Sequence, residues 1–138
     1  MKSKAPLVMM EQIVMILVFA LAAALCLQAF VLSDRLSEEA RQRDMAVVLC
    51  QNTVESEKFA AKTDGPLVDK KYPTGEGTYY FDDEGKPSFE PSFYTVELTR
   101  LPERLPYLGE SRVTVTNPEG KELYSLEFSW QKQTKDYY

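Results

Sequence analysis

Histidine and cysteine supply much of the base, nucleophile and metal chemistry of proteins, and this chain contains few of either. Its 138 residues include no histidine and two cysteines, Cys26 and Cys50. Without histidine, the Ser/His/Asp and Cys/His arrangements of hydrolases cannot form, and the commonest metal ligand is missing. No Walker loop, GxGxxG or CxxC motif occurs either. The sequence therefore predicts a non-enzymatic protein with no catalytic residues.

The two cysteines are 24 residues apart. If one helix carries both, they lie about 36 Å apart along its axis, which is too far for a disulfide within the chain. Cys26 falls in an apolar run, where we expect it to act as a small hydrophobic residue. Cys50 is either a buried packing residue or a thiol that pairs with another subunit.

The acidic cluster Asp82-Asp83-Glu84-Gly85 offers the oxygen ligands that calcium prefers. Because it lacks the alternate spacing of a calcium-binding loop, we predict a solvated turn and neither a metal nor a cofactor. The aromatic residues nearby are expected to pack in a core, with a binding face as the alternative. These aromatic residues are Tyr79, Tyr80, Phe81, Phe89, Phe93 and Tyr94.

Two polar side chains, Glu11 and Gln28, stand out in the N-terminal part because apolar residues surround them. Gln28 is the one strongly polar side chain in residues 13–32, and Glu11 follows the apolar residues 7–10. Twenty such residues span about 30 Å as a helix, the thickness of the hydrocarbon core of a bilayer. A carboxylate in that core costs about 2.5–3.5 kcal/mol, so we expect Glu11 at the cytoplasmic interface unless it has a partner.

Charge predicts the orientation of this membrane span. Lys2 and Lys4 precede it and Asp34 follows it, which places the N-terminus in the cytoplasm and the chain after Ser33 outside. The run is longer than that of a secretory signal and ends in Phe-Val-Leu and charge, which favours a permanent anchor. With a net charge of −5, the chain has no electrostatic footprint for nucleic acid.

The helix is expected to continue beyond the membrane, because neither glycine nor proline occurs between Leu32 and Gly65. We predict one helix over about residues 7–62. Its outer part carries an apolar stripe, interrupted by Arg43, that packs on its own domain or on a second coiled-coil helix. The stripe consists of Leu36, Ala40, Val47, Cys50 and Val54.

The rest of the chain reads as an antiparallel sheet. Alternating and β-rich patterns predict strands over residues 77–82, 92–101, 112–116 and 121–130, with a type I turn at residues 117–120. We expect Tyr94, Val96 and Leu98 on one face of the second strand. In the last strand, the apolar face holds Tyr124, Leu126, Phe128 and Trp130. Residues 102–110 look too proline-rich for a central strand.

These elements predict an α+β fold in which a long N-terminal helix packs on a small antiparallel sheet of about four strands. The predicted segments are a cytoplasmic leader-like segment (1–6), a transmembrane helix (7–33), its amphipathic extension (34–62), a connecting loop (63–76) and an extracytoplasmic head (77–138).

This layout resembles the type IV pilin-like family of pilins, minor pilins and secretion-system pseudopilins. The family has a short basic leader, an apolar first mature residue, glutamate at mature position five and one long helix ahead of a β head. Counted from Leu7, Glu11 is the fifth residue. The family has glycine before the cleavage site, where this chain has Pro6. Proline fixes φ and lacks an N–H, so either Pro6-Leu7 is not cut or a related peptidase accepts proline.

The resemblance implies a structural, minor subunit of a type IV pilus-like or type II secretion-like filament machine. Its partners would be the membrane and other pilin-like subunits, reached through the N-terminal helix, and a prepilin peptidase if Pro6-Leu7 is cut. In the family, Glu11 would pair with the free amine of a neighbour's first mature residue, a pairing lost without cleavage. Gln28 would form an interhelical hydrogen bond or lie at the outer interface. The subunit would sit in the cytoplasmic membrane, or leave it for a surface filament.

Two other interpretations stay open. A single-pass scaffold of the cell-division type accounts for the topology but gives residues 7–11 no role. A membrane-tethered module that binds an extracellular ligand is supported by the aromatic cluster alone.

Overall fold

The computed structural model describes residues 3–62, 72 and 74–132. It has one α-helix and five antiparallel strands, which confirms the α+β class. The predicted sheet of about four strands lacked one strand, Pro87–Ser88. Two residues are too few to show an alternating pattern in the sequence. The elements are α1 (Ala5–Lys62), β1 (Gly77–Phe81), β2 (Pro87–Ser88), β3 (Tyr94–Arg100), β4 (Leu108–Thr116) and β5 (Glu122–Gln131).

Helix α1 begins at Ala5, two residues before the predicted start. The Ser3 hydroxyl accepts a hydrogen bond from the Ala5 N–H at 3.2 Å, and the Val8 N–H donates to the Lys4 carbonyl at 3.3 Å. Pro6 lies in the first turn, where a backbone N–H has no acceptor within the helix and proline is readily accommodated. Pro6 therefore belongs to the helix and does not end the segment before it.

The sheet has the strand order β2-β1-β3-β4-β5. Tyr80 pairs with Ser88, Val96 with Val115, and Val113 with Leu126. Residues 102–110 were predicted not to form a central strand. This was wrong for the last three of them, because Leu108, Gly109 and Glu110 begin β4. Both prolines of that segment precede β4, so the strand keeps every N–H it needs for pairing.

The chain divides into two compact units, Met1–Ala40 and Arg41–Tyr138. In the first, every described residue is exposed, including the large apolar side chains from Leu7 to Leu36. The predicted loop 63–76 falls mostly outside the described residues, which include only Tyr72 and residues 74–76 of it. The predicted boundaries at 6/7, 33/34 and 62/63 stay predictions.

In the second unit, one face of α1 packs against one face of the sheet. The predicted stripe was correct for Cys50 and Val54, but Leu36 and Ala40 are exposed. Both residues lie before Ala46, the first helix residue that is buried against the core. The buried helix positions follow a spacing of three and four residues, as a single packed face requires. They are Ala46, Leu49, Cys50, Thr53, Val54 and Glu57.

The predicted alternation of the strands is confirmed. Tyr94, Val96 and Leu98 are buried in β3, and Phe128 is buried in β5. The remaining apolar residues of that β5 face, Tyr124, Leu126 and Trp130, are partly buried and pack against the core. This accords with the place of β5 at the sheet edge, where a strand has a neighbour on one side only.

Two hairpins close with the same local chemistry. Asp82 Oδ1 accepts the N–H groups of Glu84 and Lys86 at 3.0 and 2.8 Å. Asn117 Oδ1 accepts those of Glu119 and Lys121 at 3.1 and 2.8 Å. Each turn ends in a glycine with positive φ, as three-residue hairpin loops favour.

Candidate assembly site on the N-terminal helix

The site predicted from the sequence lies on the first unit of α1, and its residues are all exposed. Pro6, Leu7, Glu11 and Gln28 each present their side chains at the surface, with Leu7 exposed to 73%. The same helix contains a stretch that is long and apolar enough to cross a membrane. An exposed apolar surface of this length needs lipid or another protein to cover it.

Helical geometry places Glu11 and Gln28 on different faces. At 3.6 residues per turn, a separation of 17 positions rotates Gln28 about 100° away from Glu11 and moves it about 25 Å along the axis. The structure therefore does not bring the two predicted assembly residues together within one chain. Each would have to contact a partner separately.

A second charge lies near Glu11 in the sequence. Lys4 precedes Glu11 by seven residues and stands one position before the start of α1. Among the described residues up to Ser33, Lys4 and Glu11 are the only charged side chains. Two alanines, Ala22 and Ala29, lie on the same face of α1 as Glu11, and small residues let helices approach closely in membranes.

The peptide bond predicted as a doubtful processing site, Pro6-Leu7, lies in the first turn of α1. An endopeptidase binds its substrate in an extended form, because strand-like pairing needs free backbone groups on both sides of the scissile bond. Helical backbone at Pro6 and Leu7 has to unwind first, and proline cannot donate an N–H to the enzyme.

In the second unit, a buried carboxylate that the sequence did not reveal joins α1 to the chain before β1. Glu57 is 5% exposed, and its Oε2 accepts the Gly75 N–H at 2.7 Å. Its Oε1 lies 3.9 Å from a guanidinium nitrogen of the largely exposed Arg100. Glu57 follows Val54 by three residues and Thr53 by four, so it lies on the same helix face as these two buried residues. This spacing in the sequence could have predicted that Glu57 is buried.

Tyr79 completes this cluster around Gly75. Its hydroxyl lies within hydrogen-bonding distance of the carbonyl oxygens of Thr74 (3.1 Å) and Gly75 (3.0 Å). Burial raises the pKa of Tyr79, and the nearby negative charge of Glu57 raises that pKa further. The arrangement holds residues 74 and 75 by their backbone groups.

The cysteines behave as two different thiols. Cys26 is exposed and Cys50 is completely buried, and neither forms a disulfide within the chain, as predicted. Burial raises the pKa of the Cys50 thiol to about 12. This thiol is therefore protonated and enclosed, which favours the packing role over pairing with another subunit.

The acidic cluster at Asp82 forms the hairpin turn described above. No group of three or more potential metal ligands occurs among the residues that the structure describes. Most of the aromatic cluster packs as expected, with Phe81 and Tyr94 buried and Phe93 against Tyr94 at a centroid distance of 4.8 Å. Phe89 is the exception and is fully exposed.

Comparisons of the chain with protein-family models, with curated protein sequences and with solved structures find no match.

Proposed function

We propose that the protein is a non-enzymatic subunit, of the minor pilin or pseudopilin type, of a membrane-derived filament machine. One observation carries the proposal. A single helix, Ala5–Lys62, has an apolar part that no described residue covers and a later part that forms one layer of a β head. A fold of this kind can anchor in lipid and later exchange lipid for neighbouring helices while its head stays folded.

The position of Glu11 supports assembly over simple anchoring. A plain membrane anchor gains nothing from a carboxylate behind four apolar residues, because the charge resists burial. A subunit that packs against others gains a polar contact that fixes the register between helices, a role for which buried polar groups are well suited. Gln28 would add a second contact, on a face about 100° away.

The orientation follows from the same proposal. Before assembly, Lys4 and the rest of the basic leader lie in the cytoplasm, and the head lies outside. The protein then resides in the cytoplasmic membrane before assembly and in a surface-exposed filament afterwards.

The test is incorporation of Glu11→Gln in cells that assemble such a filament. The variant keeps the size of the side chain and removes its charge. We expect normal amounts in the membrane and a loss of about tenfold from the sheared surface fraction, the scale of one charge-assisted contact. Unchanged incorporation would show that Glu11 is an interfacial residue with no assembly role.

Asp34→Asn is the matched control. Asp34 is also an exposed carboxylate of the same helix, but it follows the apolar stretch. We expect this variant to enter the surface fraction like the wild type. Absence of the wild-type protein itself from that fraction, in cells that make filaments, would contradict the proposed function directly.

A further inference from the structure

We propose that the outer edge of β5 is a docking site for an extended strand of a different protein chain, which would join the end of the sheet. The added strand would carry apolar side chains on the face toward α1 and a basic side chain beside Glu127. This inference goes beyond the proposed function, because it concerns the β head and does not depend on how the N-terminal helix assembles.

The free edge of β5 is the first observation. Strand β5 has ten residues and lies at the end of the sheet, and no described strand pairs with its outer side. The Lys132 N–H donates to the Tyr107 carbonyl at 2.9 Å, toward the side of β4. In an antiparallel ladder, every second residue turns its backbone groups to the same neighbour. Counted back from Lys132, the residues in between therefore present their N–H and C=O groups at the outer edge, and these are Ser125, Glu127, Ser129 and Gln131.

The two edges of the sheet differ in their protection against pairing. At the other edge, β2 has two residues and begins with Pro87, and Pro91 follows soon after. Short strands and prolines are among the means by which proteins block edge pairing. Strand β5 contains no proline, lysine or arginine, and its residues 124–131 pair with β4 in an unbroken register. One edge is therefore blocked, and the other keeps the backbone groups that a further strand needs.

The side chains of β5 define the chemistry of the strand that fits. On the face toward α1, Leu126 and Trp130 are only partly buried, on either side of the buried Phe128. Residues opposite each other in a ladder lie on the same face, so apolar side chains of an added strand would cover these two. On the other face, the half-exposed Glu127 carboxylate pairs with Arg112 of β4. A basic side chain on the outer neighbour would meet Glu127 in the same way.

A second copy of β5 fits this edge less well. The charged residues of β5 are Glu122 and Glu127, and the strand has no cation of its own. In an antiparallel pair of two copies, the register that brings Glu122 opposite Lys132 also brings Glu127 opposite Glu127. Like charges directly opposite each other destabilise a pair of strands. Charge complementarity therefore favours a strand that differs from β5.

The test uses the full chain in detergent, with a peptide of the sequence of β4, LGESRVTVT, as the probe. With its arginine opposite Glu127, this peptide places its valines on the apolar face of the sheet, as β4 does on the inner side of β5. We expect the peptide to bind and to change the emission of Trp130. Glu127→Lys should weaken binding about tenfold, because like charges would then meet.

Two N-methylated peptides locate the edge that binds without any change to the protein. In an added strand, the backbone of the peptide's arginine and first threonine faces Glu127 and Ser125. Methyl groups on these two nitrogens should weaken binding at least about tenfold, because they remove two hydrogen bonds. Methyl groups on the two valine nitrogens should leave binding nearly unchanged, since those N–H groups face away from β5. The reverse order would show that the peptide replaces β4, and would overturn the inference.

Ser129→Pro tests the edge in the protein itself. Proline removes an outward N–H and leaves the β4–β5 ladder intact, so the variant should stay folded and bind the peptide about tenfold more weakly. Ser129→Thr is the matched control and should bind like the wild type. If Ser129→Pro fails to fold, the methylated peptides decide the question alone.

Three further results would overturn the inference. They are no binding of the unmethylated peptide, equal binding by folded Ser129→Pro and the wild type, and a dimer of the protein alone that Ser129→Pro dissociates. The last result would show that the edge pairs with itself and not with a different chain. The proposed function would stand in each case, because it depends on the N-terminal helix and is tested at Glu11.

Discussion

The Glu57 carboxylate and the Gly75 N–H are joined by a hydrogen bond of 2.7 Å between residues that are 18 positions apart in sequence. Glu57 belongs to the buried face of α1, and Gly75 precedes β1, so the bond connects the end of the helix to the start of the sheet. A short polar contact of this kind fixes the path of the chain between the helix and the sheet.

The first prediction concerns this bond. Glu57→Ala should lower the free energy of unfolding by about 1–3 kcal/mol, since it leaves the Gly75 N–H without its acceptor. Glu57→Gln should lose less, because its amide oxygen can still accept. The measurement is denaturant unfolding of the full chain in detergent, followed by the fluorescence of Trp130, the single tryptophan of the chain.

Glu55→Ala provides the comparison, because Glu55 lies on the exposed side of the same turn of the helix. It should change the free energy of unfolding by less than about 0.5 kcal/mol. A loss at Glu55 equal to that at Glu57 would mean that the effect comes from net charge or helix propensity and not from the bond to Gly75.

The second prediction is a loss of stability at alkaline pH. Burial raises the pKa of the Cys50 thiol from 9.0 to about 12. Because the pKa of the folded state is the higher one, the contribution of the neutral thiol is fully present below pH 9 and is lost as the pH rises toward 12. Burial, and then the charge of Glu57, also raises the pKa of Tyr79, which acts in the same direction.

Unfolding free energies of wild type and Cys50→Ala, measured between pH 7 and pH 11, check this. The cavity makes Cys50→Ala less stable at neutral pH, and the gap between the two proteins should narrow above pH 9. Cys26→Ser should follow the wild type at every pH, since Cys26 is exposed. A gap that stays constant to pH 11 would show that the thiol titrates alike in the folded and unfolded chain.

Much of the fold was predictable because period and burial coincide in it. Tyr94, Val96 and Leu98 alternate with polar residues, and that pattern gave the correct face of β3. The helix stripe was predicted less well. The predicted stripe contained apolar residues only and included Leu36 and Ala40, which are exposed. The packed face also includes the polar residues Thr53 and Glu57.

These two polar residues are buried because each has a backbone partner. The Thr53 hydroxyl donates to the Leu49 carbonyl at 2.8 Å, and the Glu57 carboxylate accepts from Gly75. Hydrophobicity along the sequence does not show such partners. The start of the helix is a similar case. It depends on the contact of the Ser3 hydroxyl with the Ala5 N–H and of the Lys4 carbonyl with the Val8 N–H, which the sequence does not show.

The third prediction concerns Gly109 and Trp130, which face each other across β4 and β5. A Cβ added at Gly109 would lie 2.4 Å from Cε2 of the Trp130 indole, so the ring lies directly over the glycine backbone. Gly109→Ala should therefore displace the indole, cost about 1–3 kcal/mol of stability and shift the emission of Trp130.

A double-mutant cycle isolates the contact. In a Trp130→Ala background, Gly109→Ala should cost much less, because the atoms it would strike are gone. Thermal unfolding followed by circular dichroism serves here, since the fluorophore is absent from two of the four proteins. Equal costs in both backgrounds would attribute the effect to the backbone of β4.

The fourth prediction compares two turn glycines. Gly85 has φ +77° and Gly120 has φ +79°, so alanine at either position should cost about 1–2 kcal/mol. A Cβ at Gly85 would also lie 2.8 Å from Met45 Sδ, whereas nothing lies within 4 Å of one at Gly120. Gly85→Ala should therefore lower the thermal midpoint more than Gly120→Ala.

Met45→Ala tests the cause of that difference, because it removes the sulfur. In this background the two glycine substitutions should have similar costs. If Gly85→Ala remains the more damaging of the two, the extra cost arises in the turn itself and not from contact with the helix.

The last prediction concerns Pro6. We expect the full chain, expressed together with a prepilin peptidase, to keep residues 1–6. The bond before Leu7 lies in the first turn of α1, and the residue that precedes it is proline where pilin-like substrates have glycine. Pro6→Gly should allow cleavage, because glycine weakens the helical turn and permits an extended backbone. Pro6→Ala should remain uncut, because alanine favours the helix. Intact mass and N-terminal sequencing distinguish the products. Cleavage of the wild type would contradict this prediction and would create a free amine at Leu7, the group that the resemblance to pilins pairs with Glu11.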